Sequence, residues 1–305
     1  MIYTVTLNPS IDYVIKLDNL KNGEVNRTKE EYVYPGGKGI NVSLILKELG
    51  YKSRALGFVS GFTGLYIKDT LKNKGLEEDF INLKNGFTRI NVKVKSNEET
   101  EINGQGPNID DESLNKLYEK LDSLKENDIL VLAGSIPKTL DSSLYENIMK
   151  RLENKNVKIV VDATKDLLMN VLKHKPFLIK PNNHELEELF NVKLNGIDDI
   201  ITYAKKLKEM GAKNVLVSMG KDGALLINED EKVLISNVAK GEVKNSVGAG
   251  DSMVAGFIAG YLDSNNYEKA LNLGAASGGA TAFSNDLATK EDIYKLIDEI
   301  KIERR

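Results

Sequence analysis

Short apolar runs alternate with longer amphipathic segments along most of the chain. From residue 113 onward this order is regular, and the amphipathic segments space their hydrophobic positions as helices do. Strands that alternate with helices in this way favour an α/β fold, with a mostly parallel sheet covered by helices on both faces. The predicted helices cover 113–124, 142–154, 166–173, 184–190 and 197–210, and the predicted strands cover 129–133, 158–161, 177–180 and 214–218.

The segments on either side of this region extend the same pattern. Before it, 2–7 and 54–59 have the composition of buried strands, and after it, 224–227 and 232–235 predict a hairpin. Glycine at residue 50 marks the end of one helix. The remaining predicted helices run from the glycine turn near residue 36 to residue 50, over about 65–74, and near 251–262, 267–283 and 290–301.

A second group of predicted strands has no helices between its members. Residues 11–17 and 26–34 are extended in character, and 88–95 alternates polar and apolar positions with a period of two, which leaves one face exposed. We therefore predict one domain over 1–305, with a small β-sheet formed from about 11–34 and 88–106 inserted into it.

The charge and the residue composition exclude several classes of function. A net charge of −3 and a pI near 5.7 give no reason to expect a nucleic-acid partner. The absence of cysteine excludes disulfides and thiolate chemistry, and two histidines are too few for a histidine-rich metal site. No apolar run approaches the length of a membrane span, and the N-terminal segment lacks the features of a signal peptide. We expect a soluble, cytoplasmic protein with no membrane contact.

A glycine-rich turn at 245–251 precedes the predicted helix at 251–262. Such a turn points several backbone N–H groups in one direction, and with the helix dipole it can hold an anion. Asp251 stands at the junction. It is either the cap of the helix or a general base beside a bound phosphate. The turn is not a P-loop, because no Gly-Lys-Ser/Thr follows its glycines, and the spacing of Gly248, Gly250 and Gly256 does not fit a dinucleotide-binding fingerprint.

A second turn, Gly36-Gly37-Lys38-Gly39-Ile40-Asn41, opens an earlier helix. Its glycines either let a ligand approach the backbone or form a flexible turn beside a solvated lysine. Ligands of parallel α/β sheets bind at the carboxyl ends of the strands. Polar residues follow the predicted strands there and are expected to converge on one crevice: Ser135, Asp162, Asn182, Ser218 and Asp251.

The two turns resemble the two signatures of the PfkB (ribokinase-like) carbohydrate kinases. GGKGINVS at 36–43 is similar to the first, and NSVGAGDSMVAGFI at 245–258 is similar to the second, about 210 residues further on. The resemblance extends over nearly the whole chain, through VTLNPSIDY, TRINVKVKS, TEINGQGP, AGSIP, IKPNNHELEELF and ATAFSNDLAT. It implies a ribokinase-like three-layer α/β fold in which the small β-sheet is a lid over the sugar.

The resemblance also implies roles for individual residues. Asp251 would be the general base, and Gly248, Ala249 and Gly250 would donate N–H groups to the transferring phosphoryl group. The sugar and its existing phosphate would be bound by Asp12, Gly37, Lys38, Asn41, Arg89, Arg27 and Ser135.

The same resemblance assigns the cofactors ATP and Mg²⁺. Asn182 and Glu185 would organise Mg²⁺ through water; by pattern alone they form a capping box at a helix start. The ATP ligands would be Lys180, Asn182, Ser218, Gly220, Gly223 and Gly279.

Three kinds of function remain to be compared. The resemblance favours ATP-dependent phosphorylation of fructose 1-phosphate to fructose 1,6-bisphosphate, with tagatose 6-phosphate or fructose 6-phosphate as alternative substrates. A nucleotide-dependent oxidoreductase is disfavoured because Asn8-Pro9-Ser10 follows the first strand instead of a glycine fingerprint. A non-catalytic sensor would not need Asp251. Two lids are expected to pack together in a homodimer, because an exposed apolar face is a liability.

Overall fold

The computed structural model describes residues 1–305, and its regular elements follow one another as alternating strands and helices over most of the chain. The α-helices are α1 Lys38–Glu48, α2 Gly61–Asn73, α3 Asp111–Asp122, α4 Leu144–Leu152, α5 Lys165–Leu172, α6 Asn183–Phe190, α7 Ile197–Glu209, α8 Ala249–Ser264, α9 Tyr267–Ala282 and α10 Lys290–Leu296. The strands are β1 Ile2–Thr6, β2 Ser10–Lys16, β3 Glu30–Gly36, β4 Ser53–Val59, β5 Glu77–Glu78, β6 Ile81–Asn82, β7 Arg89–Lys95, β8 Glu99–Asn103, β9 Ile129–Ala133, β10 Lys158–Asp162, β11 Leu178–Ile179, β12 Val215–Ser218, β13 Ala224–Ile227, β14 Val233–Ser236 and β15 Ile302–Arg304.

Eleven strands form the larger sheet in the order β15-β14-β13-β12-β11-β10-β9-β1-β4-β5, with β6 also beside β4. The pairs from β12 to β5 are parallel, and β12 to β15 are antiparallel. Parallel neighbours direct their carboxyl ends to the same edge of the sheet, which is where ligands of such folds bind.

Helices cover both faces of this sheet. Along β9, Leu130 and Leu132 pack into one hydrophobic cluster, and Ile129 and Val131 pack into another on the opposite face. The first cluster includes residues of α3, α4, α5 and α7, and the second includes residues of α1, α8, α9 and α10. Strands buried on both faces are typical of parallel sheets, and the three-layer α/β arrangement is confirmed.

The small sheet has the strand order β3-β2-β7-β8. Its two faces differ in chemistry because neighbouring strands place residues of one row on the same side. One row consists of Val33, Tyr13, Val92 and Ile102, and it is apolar. The adjacent row on the opposite face includes Asp12 and Asn91. The small sheet predicted from 11–34 and 88–106 is therefore present.

Two predicted helices have different bounds in the structure. Helix α2 begins at Gly61 and not near residue 65, because Thr63 donates a hydrogen bond to the Thr88 carbonyl at 2.7 Å and fixes the first turn against the following segment. The C-terminal helix was expected to reach residue 301. It ends at Leu296, and Ile302–Arg304 instead pairs with β14. None of the helices combines the length and apolar character needed to cross a bilayer.

Candidate active site

A crevice of about 530 Å³ lies at the carboxyl ends of β1, β9, β10 and β12, between the larger sheet and the small one. The structure brings most of the predicted site residues together here. Those that line the crevice are Asp12, Gly37, Lys38, Asn41, Arg89, Ser135, Lys180, Asn182, Glu185, Ser218, Gly248, Gly250 and Asp251.

The glycine-rich turn enters helix α8 at one wall of the crevice. Gly248 is the N-cap with a φ of 81°, a left-handed conformation that glycine adopts without strain. The first i to i−4 hydrogen bond of the helix joins Ser252 N to the Gly248 carbonyl at 2.8 Å. Gly248 and Gly250 line the crevice, and backbone amides at a helix start have no i−4 carbonyl to bind, so this turn is suited to hold an anion. Asp251 lies in the first turn and is not the cap, so the capping alternative is wrong.

Asp251 is a buried carboxylate, only 5% exposed. Its Oδ2 accepts a hydrogen bond from Asn41 Nδ2 at 2.8 Å. Burial and the negative charge of Asp162 raise the pKa of Asp251 to about 6, although Lys38 opposes this shift. A carboxylate with this pKa is suited to accept a proton near neutral pH.

Asp162, at the end of β10, is 1% exposed and lies between two lysines. Its Oδ2 is 3.2 Å from Lys38 Nζ, and its Oδ1 is 3.5 Å from Lys180 Nζ. Burial alone would raise the pKa of Asp162, but the charges of Lys180 and Lys38 hold it below its ordinary value. The sequence predicts that Asp162 lies at the crevice, because it follows a buried strand, but assigns it no function.

The turn before α1 fits tightly over β1. A Cβ on Gly37 would lie 2.5 Å from Thr6 Cγ2, and Gly37 has a φ of 127°. Thr6 Oγ1 accepts a hydrogen bond from the Ile40 amide at 3.1 Å, which fixes the start of the helix. This close approach directs Lys38 and Asn41 into the crevice, so the turn is ordered by packing.

Asp12 projects from the small sheet toward the larger one. Its Oδ1 accepts hydrogen bonds from Ser10 Oγ at 2.7 Å and from Asn91 Nδ2 at 3.0 Å. Its Oδ2 is 3.2 Å from Lys93 Nζ. Asn91 also lines the crevice, and its Oδ1 is buried without a hydrogen-bond partner. Sequence reasoning missed both Asn91 and Lys93, although their alternation along β7 places them on the face of Asp12.

Arg89 is the cation at this wall. Its Nε donates to the Asn8 carbonyl at 3.1 Å and its Nη1 to the Gly104 carbonyl at 3.4 Å. It forms no ion pair with a carboxylate, and burial lowers the pKa of its guanidinium, with Asp12 opposing the shift. A guanidinium held by carbonyl groups keeps its charge available for an anionic ligand.

Asn182 and Glu185 start helix α6 as a reciprocal capping box. The Glu185 amide donates to Asn182 Oδ1, and the Asn182 amide donates to Glu185 Oε2, each at 2.8 Å. The capping pattern in the sequence is thus confirmed. No group of three or more histidine and carboxylate side chains is placed to hold a metal ion directly.

Five predicted site residues do not line the crevice: Ala249, Arg27, Gly220, Gly223 and Gly279. Gly223 has a φ of 89° and lies directly against the Ser236 backbone, so it has a structural reason to be glycine. Arg27 lies between β2 and β3, away from the crevice.

The small residues of α8 and α9 serve close helix packing. A Cβ on Gly274 would lie 3.0 Å from the Met253 carbonyl oxygen, and one on Gly260 would lie 2.8 Å from the Lys269 carbonyl oxygen. At Gly279 the nearest atom is Leu296 Cδ1 at 3.6 Å, so that position is less constrained.

Comparison with known proteins finds relatives that are all named as carbohydrate or sugar-phosphate kinases. Residues 5–292 match the pfkB family of carbohydrate kinases. The chain is 50% identical over 304 residues to 1-phosphofructokinase of Bacillus subtilis, with 100% of each chain covered. It is 35% identical over 303 residues to D-tagatose-1-phosphate kinase of Bacillus licheniformis, with 99% of each covered. The structure of phosphofructokinase-2 from Escherichia coli in complex with substrates and products superposes with a TM-score of 0.91, at 28% identity and 98% coverage of both chains.

Proposed function

Because the chain belongs to the pfkB family of carbohydrate kinases, and is thus a sugar-phosphate kinase, we propose that it transfers the terminal phosphoryl group of ATP to fructose 1-phosphate. The products are fructose 1,6-bisphosphate and ADP. One observation carries the proposal: the buried carboxylate of Asp251, with a raised pKa, lies at an anion-binding helix start that faces Arg89 and Asp12 across the crevice.

The reaction needs a base at the hydroxyl that attacks. As the bond between the C6 oxygen of the sugar and the γ-phosphorus forms, the bond from that phosphorus to the β,γ-bridging oxygen breaks, and ADP leaves with its electrons. Asp251 takes the proton of the C6 hydroxyl. Asn41 holds the carboxylate in place with the 2.8 Å hydrogen bond. No covalent phosphoenzyme is needed.

The transition state spreads negative charge over the phosphoryl oxygens, so fixed donors stabilise it. The amides of Gly248 and Gly250 would supply them at the start of α8, whereas the Ala249 amide already donates to the Ser246 carbonyl at 3.3 Å. Lys38 and Lys180 add positive charge beside Asp251, and Asp162 holds both lysines toward the same point. In water-excluded surroundings such charges act more strongly than in solution.

The sugar end of the crevice would bind the hydroxyls and the existing phosphate. Asp12 has lone pairs free to accept a hydroxyl, and the unpartnered Asn91 Oδ1 offers a further buried acceptor. Arg89 would bind the dianionic phosphate, since its guanidinium is not paired with a carboxylate. Gly37, Lys38 and Ser135 would complete the contacts.

The nucleotide would occupy the other end. Lys180, Asn182 and Ser218 line the crevice there, and Gly220, Gly223 and Gly279 would contact the base and ribose beyond it. Mg²⁺ would neutralise charge on the ATP phosphates. The oxygen donors Asn182 and Glu185 fit it through water, because Mg²⁺ keeps much of its hydration shell and needs few protein ligands.

The small sheet would act as the lid of a single kinase domain, since it carries Asp12 and Arg89 over the crevice. Its apolar row leaves Val33 42% and Ile102 62% exposed, and this supports a homodimer in which two lids pack together. Arg27, between β2 and β3, would be near such an interface.

Both substrates belong to intracellular metabolism, which supports a cytoplasmic location.

A second candidate substrate is D-tagatose 1-phosphate. The Bacillus licheniformis relative is named for that activity, and the sugar differs from fructose 1-phosphate in configuration at C4 only. The earlier alternatives, tagatose 6-phosphate and fructose 6-phosphate, carry the phosphate at the carbon that fructose 1-phosphate leaves free. With either of these sugars bound, the phosphate at Arg89 would be on C6. The hydroxyl that accepts the new phosphoryl group would then be on C1.

The test is a comparison of kcat/KM for the four sugar phosphates with saturating MgATP, followed by identification of the product position by phosphorus NMR. Fructose 1-phosphate should give the highest value and the 1,6-bisphosphate as product. A higher value for D-tagatose 1-phosphate would replace the substrate but keep the mechanism. Failure to consume ATP with any of the four would contradict the proposal.

A further inference from the structure

Lys93 is a buried cation in the small sheet. Its side chain is 9% exposed, whereas the side chains of Lys16 and Lys95 on the same face are 42% and 29% exposed. Its Nζ lies 3.2 Å from Asp12 Oδ2 and 3.8 Å from Glu101 Oε1. Because a buried charge is costly unless it is paired, this placement ties Lys93 to the carboxylate of Asp12.

Asp12 divides its partners between its two oxygens. Ser10 and Asn91 donate to Oδ1, at 2.7 Å and 3.0 Å, and Lys93 is the cation at Oδ2. Without Lys93 the carboxylate would be held through one oxygen only and would be free to rotate. The direction of its remaining lone pairs toward a bound sugar would then be lost.

Lys93 does not itself border the crevice. It lines an adjoining cleft of about 450 Å³, together with Lys95 and residues of α1 such as Leu44, and Asp12 borders both cavities. The ion pair with Asp12 is the contact that links Lys93 to the crevice. Its register opposite Glu101 on β8 anchors it to the outer strand of the sheet.

We propose that Lys93 is a positioning residue, which orients Asp12 toward the sugar and so sets the affinity for the sugar phosphate. This inference rests on the proposed role of Asp12 in binding the sugar. It assigns a function to a charged pair inside the small sheet that the catalytic steps at Asp251 do not require.

The test compares Lys93→Met with Lys95→Met in steady-state kinetics. Lys95 is the matched control, two residues along β7 on the same face, with Glu99 as its partner at 3.9 Å. Lys93→Met should raise the KM for fructose 1-phosphate about ten- to a hundredfold, the range for loss of a charged hydrogen bond. The KM for ATP and kcat should change by less than about threefold, because lost ground-state binding affects KM. Lys95→Met should change none of the three.

A double-mutant cycle separates positioning from general destabilisation. In the Asp12→Asn background, Lys93→Met should cause no further rise in KM, because the partner is already changed. A further rise equal to that in wild type would overturn the inference. If thermal unfolding shows that Lys93→Met is not folded, Lys93→Gln is measured in its place. An unchanged KM for fructose 1-phosphate in a folded variant would also overturn the inference. Wild-type protein that fails to phosphorylate the sugar would contradict the proposed function instead.

Discussion

Asn41 donates a hydrogen bond from Nδ2 to Oδ2 of Asp251 at 2.8 Å, across 210 positions of the chain. The contact joins the starts of α1 and α8, so the two glycine turns meet at one carboxylate. Each turn alone left two interpretations open. Together they show that Asp251 is held by a side chain of another element and not by capping its own helix.

Asn41→Ala should move the acidic limb of the pH–kcat/KM profile to higher pH. The hydrogen bond from Asn41 favours the ionised form of Asp251 and lowers a pKa that burial and Asp162 raise to about 6. Without it the pKa rises further, and the base is protonated over a wider acidic range. The substrate phosphates also titrate near pH 6, and the pH profile of the wild-type enzyme is the control for their contribution. A limb that stays in place would show that the bond does not act on the base.

Asp251→Asn should lower kcat by about 10²–10⁴, the usual contribution of a general base. Because the amide is nearly the same size, the KM values and the unfolding temperature should stay close to wild type. Asp263→Asn, near the opposite end of α8, is the control and should retain full activity. Turnover near wild type in a folded Asp251→Asn protein would remove the base assignment.

Asp162→Asn should shift the acidic limb in the opposite direction, to lower pH. The negative charge of Asp162 is the second cause of the raised pKa of Asp251, after burial, so its removal lowers that pKa. Lys38 and Lys180 also lose their shared partner, and kcat should fall because their positions are no longer fixed. The pH profiles of this variant and of Asn41→Ala, measured under the same conditions, should show shifts of the acidic limb in opposite directions. Equal shifts in one direction would contradict the electrostatic explanation.

Arg89→Met should raise the KM for fructose 1-phosphate about a hundredfold, the upper range for a hydrogen bond to a charged group. The KM for ATP should not change. Activity with unphosphorylated fructose at high concentration should be unaffected, because that sugar has no phosphate for Arg89 to bind.

Arg27→Met is the comparison for Arg89→Met, because Arg27 lies outside the crevice of its own protomer. It should change the KM for fructose 1-phosphate by less than about threefold, as expected for a group that makes no contact. An effect as large as that of Arg89→Met would mean that Arg27 reaches the site from a partner subunit. No selective effect of Arg89→Met on the phosphorylated sugar would remove Arg89 from the phosphate site.

The parallel sheet was predictable because its strands are buried on both faces and appear as continuous apolar runs between amphipathic helices. Strand β15 was not, since Ile302–Arg304 becomes a strand only by pairing with β14, whose partner residues lie 66 to 70 positions away in the chain. The start of α2 depends in the same way on Thr88. Local pattern does not contain such long-range contacts.

The site shows the same division. Glycine turns and strand-end polar residues could be found from the sequence because their spacing reflects local geometry. The pairing of Asp162 with two lysines, and of Asp12 with Lys93, depends on which elements lie side by side. Lysine is common on exposed faces, so a buried lysine cannot be recognised in a chain with many of them.

Ile102→Glu should prevent association of the small sheets. Ile102 is 62% exposed and continues the apolar row of Val33, Tyr13 and Val92, so a charge there would be buried without a partner in a lid-to-lid dimer. Wild type should behave as a dimer at micromolar concentration in light scattering, and Ile102→Glu as a monomer. Asn103→Glu, on the next residue of β8 and on the opposite face, should remain dimeric. A monodisperse wild-type monomer would contradict the dimer, and a dimeric Ile102→Glu variant would place its interface elsewhere.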